Sequence, residues 1–466
     1  MKFDSEQYTV EELQAGERTI RFRAYRDLVY VERPVDKAYQ RMHLFAPECY
    51  YHGESRNGYD LHSAPIFMPN QVGGYMPGEP GEPAVLEGKP NTIFAALEHG
   101  YVVAAPAIRG RTLRDAAGQF TGKAPACVVD YKAAVRYLRS FAQQIPGDAE
   151  KIITNGTSAG GALSSLMGST GNHPDYEPYL QELGAAPAGD DVFAASCYCP
   201  ITNLDHADLA YEWQFNGIYP YHRMHMEMKE GGRPAFTPED GVMTAEQQAV
   251  SRKAAALFPA YVNSLSLKDR ERRPLTLEAD GTGGFLDFLK SVLAQSAETA
   301  LQAGEDLSQE KWLTWENDTL TAIDFHEYAK TITRMKTALA FDGLDRGTPE
   351  NDLFGNASVK KRHFTAFSQE HSAQAGERAE ASIVRLMNPM EYLEDDRAKK
   401  ARYFRIRHGE QDRDTSLAIS AMLTLKLREQ GCAVDYAAPW HVPHNGDYDL
   451  PELFAWIDQL CQGNRS

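Results

Sequence analysis

The first 200 residues carry hydrophobic positions in two distinct rhythms. Arg18–Val31 and Ala38–Pro47 alternate apolar and polar residues and include aromatics, which predicts antiparallel strands. Ala64–Pro69, Tyr101–Ile108 and Val192–Cys199 are short and apolar almost throughout, as strands buried on both faces are. Lys151–Asn155 reads as one more short strand. Between these runs lie helical stretches at Asn91–His99, Cys127–Gln143 and Ala159–Gly168. In the second of them Val128, Tyr131, Val135, Leu138 and Phe141 fall on one stripe. This succession predicts an α/β fold, a mostly parallel twisted sheet with helices on both faces.

The rhythm changes near residue 203. His206–Gly304 is rich in charge and lacks buried strands, and Gly231-Gly232 and Gly281-Thr282-Gly283-Gly284 are loop signals. Gln247–Phe258, Phe285–Ala303 and Asp318–Ala340 read as helices, and Gly343–Arg378 as mostly loop. From about Tyr392 the α/β pattern resumes. Arg402–Arg407 is a strand, Thr415–Gln430 a helix stopped by Gly431, Cys432–Pro439 a strand and Pro451–Cys461 a last helix. The expected organisation is one α/β domain in two parts, 1–202 and 392–466, with residues 203–391 inserted between late strands as a mainly helical lid.

Composition narrows the partners. Acidic residues number 65 and basic residues 48, and the resulting net charge of −17 argues against a nucleic-acid or anionic-membrane partner. The six cysteines are sparse and form no CxxC pair, so a disulfide scaffold is not expected. Cys197-Tyr198-Cys199 is spaced too tightly for a usual zinc site and is expected to be part of a buried strand. Residues 1–10 lack the basic and apolar regions of a signal peptide, and no apolar run reaches the length of a membrane span. The expectation is a soluble, cytoplasmic chain.

The chemistry centres on Gly156-Thr157-Ser158-Ala159-Gly160, a G-x-S-x-G sequence between a strand and a helix. That context is what a nucleophile elbow requires, because the glycines permit the tight turn that exposes the serine hydroxyl. Serine needs a base, and the base needs an acid to hold it. The strand Arg402–Arg407 runs into a loop carrying Asp412 and Asp414, and Asp412 is preferred as the acid with Asp414 as competitor. The strand Cys432–Pro439 leads to His441 and His444, of which His444, between Pro443 and Asn445-Gly446, is preferred as the base. The backbone N–H of Ala159 is an expected oxyanion donor. A second is expected in Gln71–Gly74, where Gly73 and Gly74 let backbone N–H groups face a cavity.

Four stretches extend beyond this motif: Pro69 to Tyr75, Gly156 to Gly161, Arg407 to Thr415 and Pro443 to Asp449. With Met335-Lys336, Ala340 to Asp345 and Glu350 to Gly355 they resemble the bacterial tannases, tannin acylhydrolases of the intracellular lactobacillus type. The resemblance spans the whole chain. It implies an α/β-hydrolase fold with a large lid, a triad of Ser158, Asp412 and His444, and a galloyl site in which Lys336, Glu350 and Asp414 grip the phenolic hydroxyls. It implies hydrolysis of galloyl esters, a small phenolic ester as partner, and no metal or organic cofactor. A feruloyl or general carboxylesterase with the same triad is the nearest alternative. An oligopeptidase-type peptidase and a non-catalytic binding module on the same fold stand further off.

Overall fold

The short apolar runs form the centre of one large sheet. The structure, a computed structural model, describes residues 1–228, 234–317, 319–374 and 376–463. Its sheet strands are β1 (Thr9–Ala15), β2 (Arg18–Val29), β3 (Arg41–Pro47), β4 (Pro65–Pro69), β5 (Val102–Pro106), β6 (Asp148–Thr157), β7 (Ala194–Tyr198), β8 (Tyr403–Arg407) and β9 (Ala433–Ala437). The spatial order is β1-β2-β3-β5-β4-β6-β7-β8-β9. The first three strands and the β3–β5 pairing are antiparallel. From β5 to β9 every pairing is parallel. Every residue of β4, β5 and β7 is buried, which is why these segments read as apolar without alternation. The edge strand β1 escaped the sequence reading because its charged positions face solvent and only Ala15 is buried.

Helices Thr92–His99, Ala126–Ser140, Ala159–Ser169, Leu417–Glu429 and Leu450–Gln462 cover the sheet. The last of them locks on through Phe454, whose ring meets Phe67 and Tyr101 edge-on at 6.1 and 5.3 Å. Ala126–Ser140 is more deeply set than its single apolar stripe implies. Its polar side is also covered, and Asp130 and Lys132 are buried in ion pairs with Arg109 and Asp190, each at 2.8 Å. The parallel half of the sheet thus has its faces closed, and its strand carboxyl ends are where loops with chemistry emerge.

The chain between β7 and β8 is the inserted segment. It holds helices Leu204–Gln214, Ala245–Ser264, Gly284–Gln302 and Phe325–Ile332, the shorter helices Pro349–Leu353 and Ala366–His371, and two antiparallel strand pairs. One pair, Pro220–Met228 with Pro234–Val242, lies in a stretch expected to lack buried strands. The loop signal at Gly231-Gly232 falls outside the described residues. Thr244 caps Ala245–Ser264 through a capping box with Gln247. The insertion is fastened to the sheet domain by direct hydrogen bonds: the Tyr328 hydroxyl donates to the Glu410 carbonyl at 2.7 Å, and Ser296 donates to the Ala438 carbonyl. Its apolar side chains, among them Phe258, Phe285 and Trp312, continue the core of the sheet domain.

The expected helix over Asp318–Ala340 is corrected. Thr319–Ile323 is a strand, Phe325–Ile332 a helix, and the chain from Thr333 onward is irregular; Asp318 lies outside the described residues. Asp324 starts the helix by accepting from the N–H groups of His326 and Glu327. The helix ends because Thr333 takes a left-handed φ of 56°. The N–H groups of Met335 and Lys336 then donate to the Tyr211 hydroxyl at 3.1 and 3.0 Å instead of to a helical carbonyl. Gly343–Arg378 is less irregular than expected, since two short helices punctuate it.

Candidate active site

Ser158 sits between β6 and the helix Ala159–Ser169, with φ 62° and ψ −121°. A left-handed φ at a non-glycine residue carries strain of about 1–3 kcal/mol and persists only where the surroundings enforce it. Here the Ser158 N–H donates to the Tyr198 carbonyl at 3.0 Å, and its carbonyl accepts from Ala162 and Ile201. Gly156 is required by close approach: an added Cβ would stand 2.3 Å from the Gly160 carbonyl oxygen. Ala159 is the first residue of the helix, so its N–H belongs to the end that lacks helical acceptors.

The loops after β8 and β9 bring the acid and base residues together. His444 Nδ1 lies 2.8 Å from the Asp412 Oδ2 atom. Asp412 also accepts from the N–H groups of Asp414 and Thr415 at 2.9 and 3.3 Å. Burial works against its charge, but the His444 ring and these donors outweigh burial and pull its pKa to about 2. Burial likewise disfavours charge on His444, and Asp412 overrides it, holding the imidazole well above its ordinary value. His441 has other neighbours: its ring is tilted 36° to that of Trp440 at 5.5 Å, and its backbone N–H donates to the Glu410 carboxylate at 3.3 Å. The loop carrying His444 closes on the elbow at Gly446, where an added Cβ would meet Thr157 Oγ1 at 1.8 Å. Asp447 pins this loop to Asn155 and Thr92 at 2.9 and 2.7 Å. Asp449 pins it to Arg405 and Tyr198.

Asp414 pairs with Lys336. Burial disfavours the Lys336 cation, but Asp414 and then Glu350 outweigh it and hold the ammonium above its usual value. Glu350 is 4% exposed and stands at the second position of the helix Pro349–Leu353, which Thr348 and Asn351 cap. Burial pushes its carboxyl upward against the pull of Lys336. One cation and two carboxyl groups, one from the β8 loop and two residues from the insertion, therefore share one electrostatic neighbourhood beside the triad candidates. Lys336 Nζ also lies 4.2 Å above the Phe341 ring.

The loop from Asn70 to Tyr75 packs against the elbow. Asn70 Nδ2 donates to the Asn155 and Gly160 carbonyls, both at 3.0 Å. The Val72 N–H donates to Asn70 Oδ1 at 3.2 Å, which removes Val72 from the oxyanion candidates in Gln71–Gly74. Gly74 adopts a left-handed φ of 53° and its carbonyl accepts from Arg111 at 2.8 Å.

A family model described as BD-FAE matches residues 73–204, the stretch that contains Gly73, Gly74 and the Ser158 elbow. Similarity to solved structures covers far more. A tannase from Lactobacillus plantarum is 46% identical, with a TM-score of 0.95 over 99% of this chain and 99% of that one. The chain belongs to the tannase family. A Fusobacterium nucleatum tannase is 45% identical, with a TM-score of 0.95 over 98% of this chain and 99% of that one. A tannin acyl hydrolase in complex with ethyl gallate is 46% identical, with a TM-score of 0.92 over 99% of this chain and 98% of that one. No curated protein matches. This tannase-family chain is accordingly a hydrolase with an α/β-hydrolase fold.

Several residues packed around these candidate side chains gave no signal in the sequence. Tyr211 is one: its hydroxyl receives the Met335 and Lys336 N–H groups and donates to the Arg413 carbonyl at 2.9 Å, tying the Lys336 segment to the Asp414 loop. Arg334 is another. It is fully buried, donates to the Lys336 carbonyl at 2.7 Å and pairs with buried Glu212 at 2.8 Å. Arg111 joins the Gly74 carbonyl to Asp352, two residues beyond Glu350. Cys199, expected within a buried strand, stands just beyond the end of β7, next to the His444 loop. An isolated Tyr or Arg carries no pattern, and only its partner, more than a hundred residues away in most cases, gives it a place there.

Proposed function

We propose that this enzyme hydrolyses galloyl esters of tannins and alkyl gallates to gallic acid and an alcohol, through a galloyl-serine intermediate. One observation carries the reading: Asp412 and Asp414 share a single loop, the first facing His444 and the second Lys336. The reacting carbonyl and the phenolic ring of one acyl group then have their partners set at fixed separation on one backbone. Three adjacent phenolic hydroxyls each donate and accept hydrogen bonds, and Asp414, Glu350 and Lys336 supply matching acceptors and donors.

In the proposed mechanism His444 Nε2 takes the Ser158 proton as Oγ attacks the ester carbonyl. Asp412 holds the ring through Nδ1 and stabilises the imidazolium. The oxyanion forms against the Ala159 N–H and a donor from the Gly73–Gly74 segment. His444 then protonates the departing alcohol oxygen. Water attacks the galloyl-serine with His444 again as base, releasing gallic acid and restoring Ser158. Every step is a proton or acyl transfer among these groups. Residues 203–391 act as the lid that sets acyl preference, since Lys336 and Glu350 lie within them. A cytoplasmic location fits the six cysteines, all free thiols, and among the described residues no helix is long and apolar enough to cross a membrane.

The test is a direct competition of acyl groups. Methyl gallate is expected to exceed methyl ferulate in kcat/KM by about a hundredfold or more, because ferulate keeps a single ring hydroxyl and leaves buried partners of the other two unpaired. Equal rates on the two esters would move the enzyme to the feruloyl or general carboxylesterases.

A further inference from the structure

The base has a second neighbour that ester hydrolysis does not use. Cys199 is 1% exposed and has a left-handed φ of 36°, which aims its side chain at the His444 loop. Its Sγ lies 3.8 Å from His444 Nε2 and donates to the Asn445 carbonyl at 3.4 Å. Sγ, a His444 ring nitrogen and an Asp412 oxygen all fall within 4.8 Å of one another. The His444 side chain is 20% exposed, so a small solute can reach it from solvent.

This spacing is that of a chelate. A zinc ion bonded at about 2.3 Å to sulfur and about 2.05 Å to imidazole nitrogen, at angles of roughly 110–120°, places the two ligand atoms about 3.6–3.8 Å apart. The sulfur and nitrogen here are separated by 3.8 Å without any movement. Asp412 on the opposite ring nitrogen at 2.8 Å completes the carboxylate–histidine arrangement that fixes the tautomer and raises ligand basicity in zinc sites. We propose that Cys199 and His444 form a binding site for a thiophilic divalent cation such as Zn²⁺ or Cd²⁺, and that its occupancy inhibits the enzyme by taking the base out of service. The cation is an inhibitor, with water in its remaining positions. A thiolate and an imidazole select such ions over Mg²⁺ and Ca²⁺, which require oxygen ligands.

Binding balances without redox change. The Sγ–H proton leaves to solvent, any proton on His444 Nε2 leaves with it, and two coordinate bonds form. Protons on the two ligand atoms compete with the metal, so affinity rises with pH.

Metal binding is independent of the hydrolytic reading, while inhibition rests on His444 acting as the base. The experiment titrates the full chain with ZnCl₂ alone by calorimetry and, in parallel, follows methyl gallate turnover. The wild-type chain is expected to bind one Zn²⁺ and lose turnover in step with occupancy, and Mg²⁺ is expected to do neither. Cys199→Ser is expected to keep basal turnover within about twofold and to raise the Zn²⁺ concentration for half-inhibition at least about tenfold, since a hydroxyl replaces the thiolate ligand. His444→Gln, read by binding only, is expected to weaken Zn²⁺ to the same extent, and it decides the matter if the cysteine variant does not fold. Unchanged Zn²⁺ binding in His444→Gln, unchanged inhibition in a folded Cys199→Ser, or no binding by the wild-type chain would overturn the site. Stoichiometric binding lost in both variants, with full turnover in the wild-type zinc form, would support the site and instead overturn the role of His444 as base.

Discussion

The strand-end loops and the inserted segment hold their candidate site residues in different ways. Ser158, Asp412 and His444 leave the carboxyl ends of β6, β8 and β9, so the parallel sheet itself brings them to one edge. Each is then fixed by short-range contacts: the Ser158 turn by its flanking glycines, Asp412 by the N–H groups of Asp414 and Thr415. Lys336 and Glu350 have no sheet behind them. Lys336 depends on Tyr211, 125 positions earlier, and on the Arg334–Glu212 pair, 122 positions apart. Glu350 depends on a short capped helix that Asp352 anchors to Lys123 and Arg111. Regular strands can place reacting groups with little help, whereas a binding wall on irregular chain needs a network of buried polar partners. Such networks are demanding, because removing one member of a buried pair costs about 3–5 kcal/mol.

That contrast can be broken at its strongest point first. Ser158→Ala and His444→Ala are each expected to lower kcat on methyl gallate by about 10⁴-fold or more, with Ser158→Ala still binding methyl gallate. His441→Ala is expected to stay within about twofold, and a large loss there would reassign the base. Asp412→Asn is expected to cost about 10³–10⁴-fold in kcat. It also tests the electrostatics. Asp412 raises the His444 pKa, so the neutral base of the wild-type enzyme appears only as pH rises through that elevated value. Without the carboxylate the acid limb of kcat/KM should move to lower pH, and a limb that stays in place would show that another group titrates.

The inserted segment should respond selectively. Lys336→Ala and Glu350→Ala are each expected to reduce kcat/KM for methyl gallate by roughly 10–150-fold, the range of one lost charge-assisted hydrogen bond. Nitrophenyl acetate, which lacks the ring hydroxyls, should be affected far less, and equal losses on both esters would remove the assigned roles. Within this segment Tyr211→Phe should give the smallest effect, a rise of about 5–10-fold in KM for methyl gallate with kcat nearly kept, because a loosened Lys336 segment weakens ring binding and spares the triad. A fall in kcat alone would place Tyr211 with the reacting groups instead.

Much of the sheet domain was legible because its elements obey simple rules. Fully apolar runs such as β5 and β7 lie where parallel strands must be buried, and the G-x-S-x-G turn sits where strand meets helix. The edge strand β1 was missed for the complementary reason, since a solvated strand shows little hydrophobic signal. The insertion was read less well. Thr333 in a left-handed conformation ends a helix that periodicity alone would extend, and the backbone beyond it is claimed by the distant Tyr211 hydroxyl.

Local pattern specifies the α/β rhythm, the change of character after the strand Ala194–Tyr198, the serine turn and the two loops that carry carboxylate and imidazole. Local periodicity suffices for these, because it records which face of each element meets the core. The tertiary structure supplies the contacts themselves: His444 on Asp412, Asp414 on Lys336, Glu350 in their field, and Cys199 beside the His444 ring. Those outcomes rest on hydrogen bonds and ion pairs between residues far apart in the chain, and such pairings leave no period in the sequence.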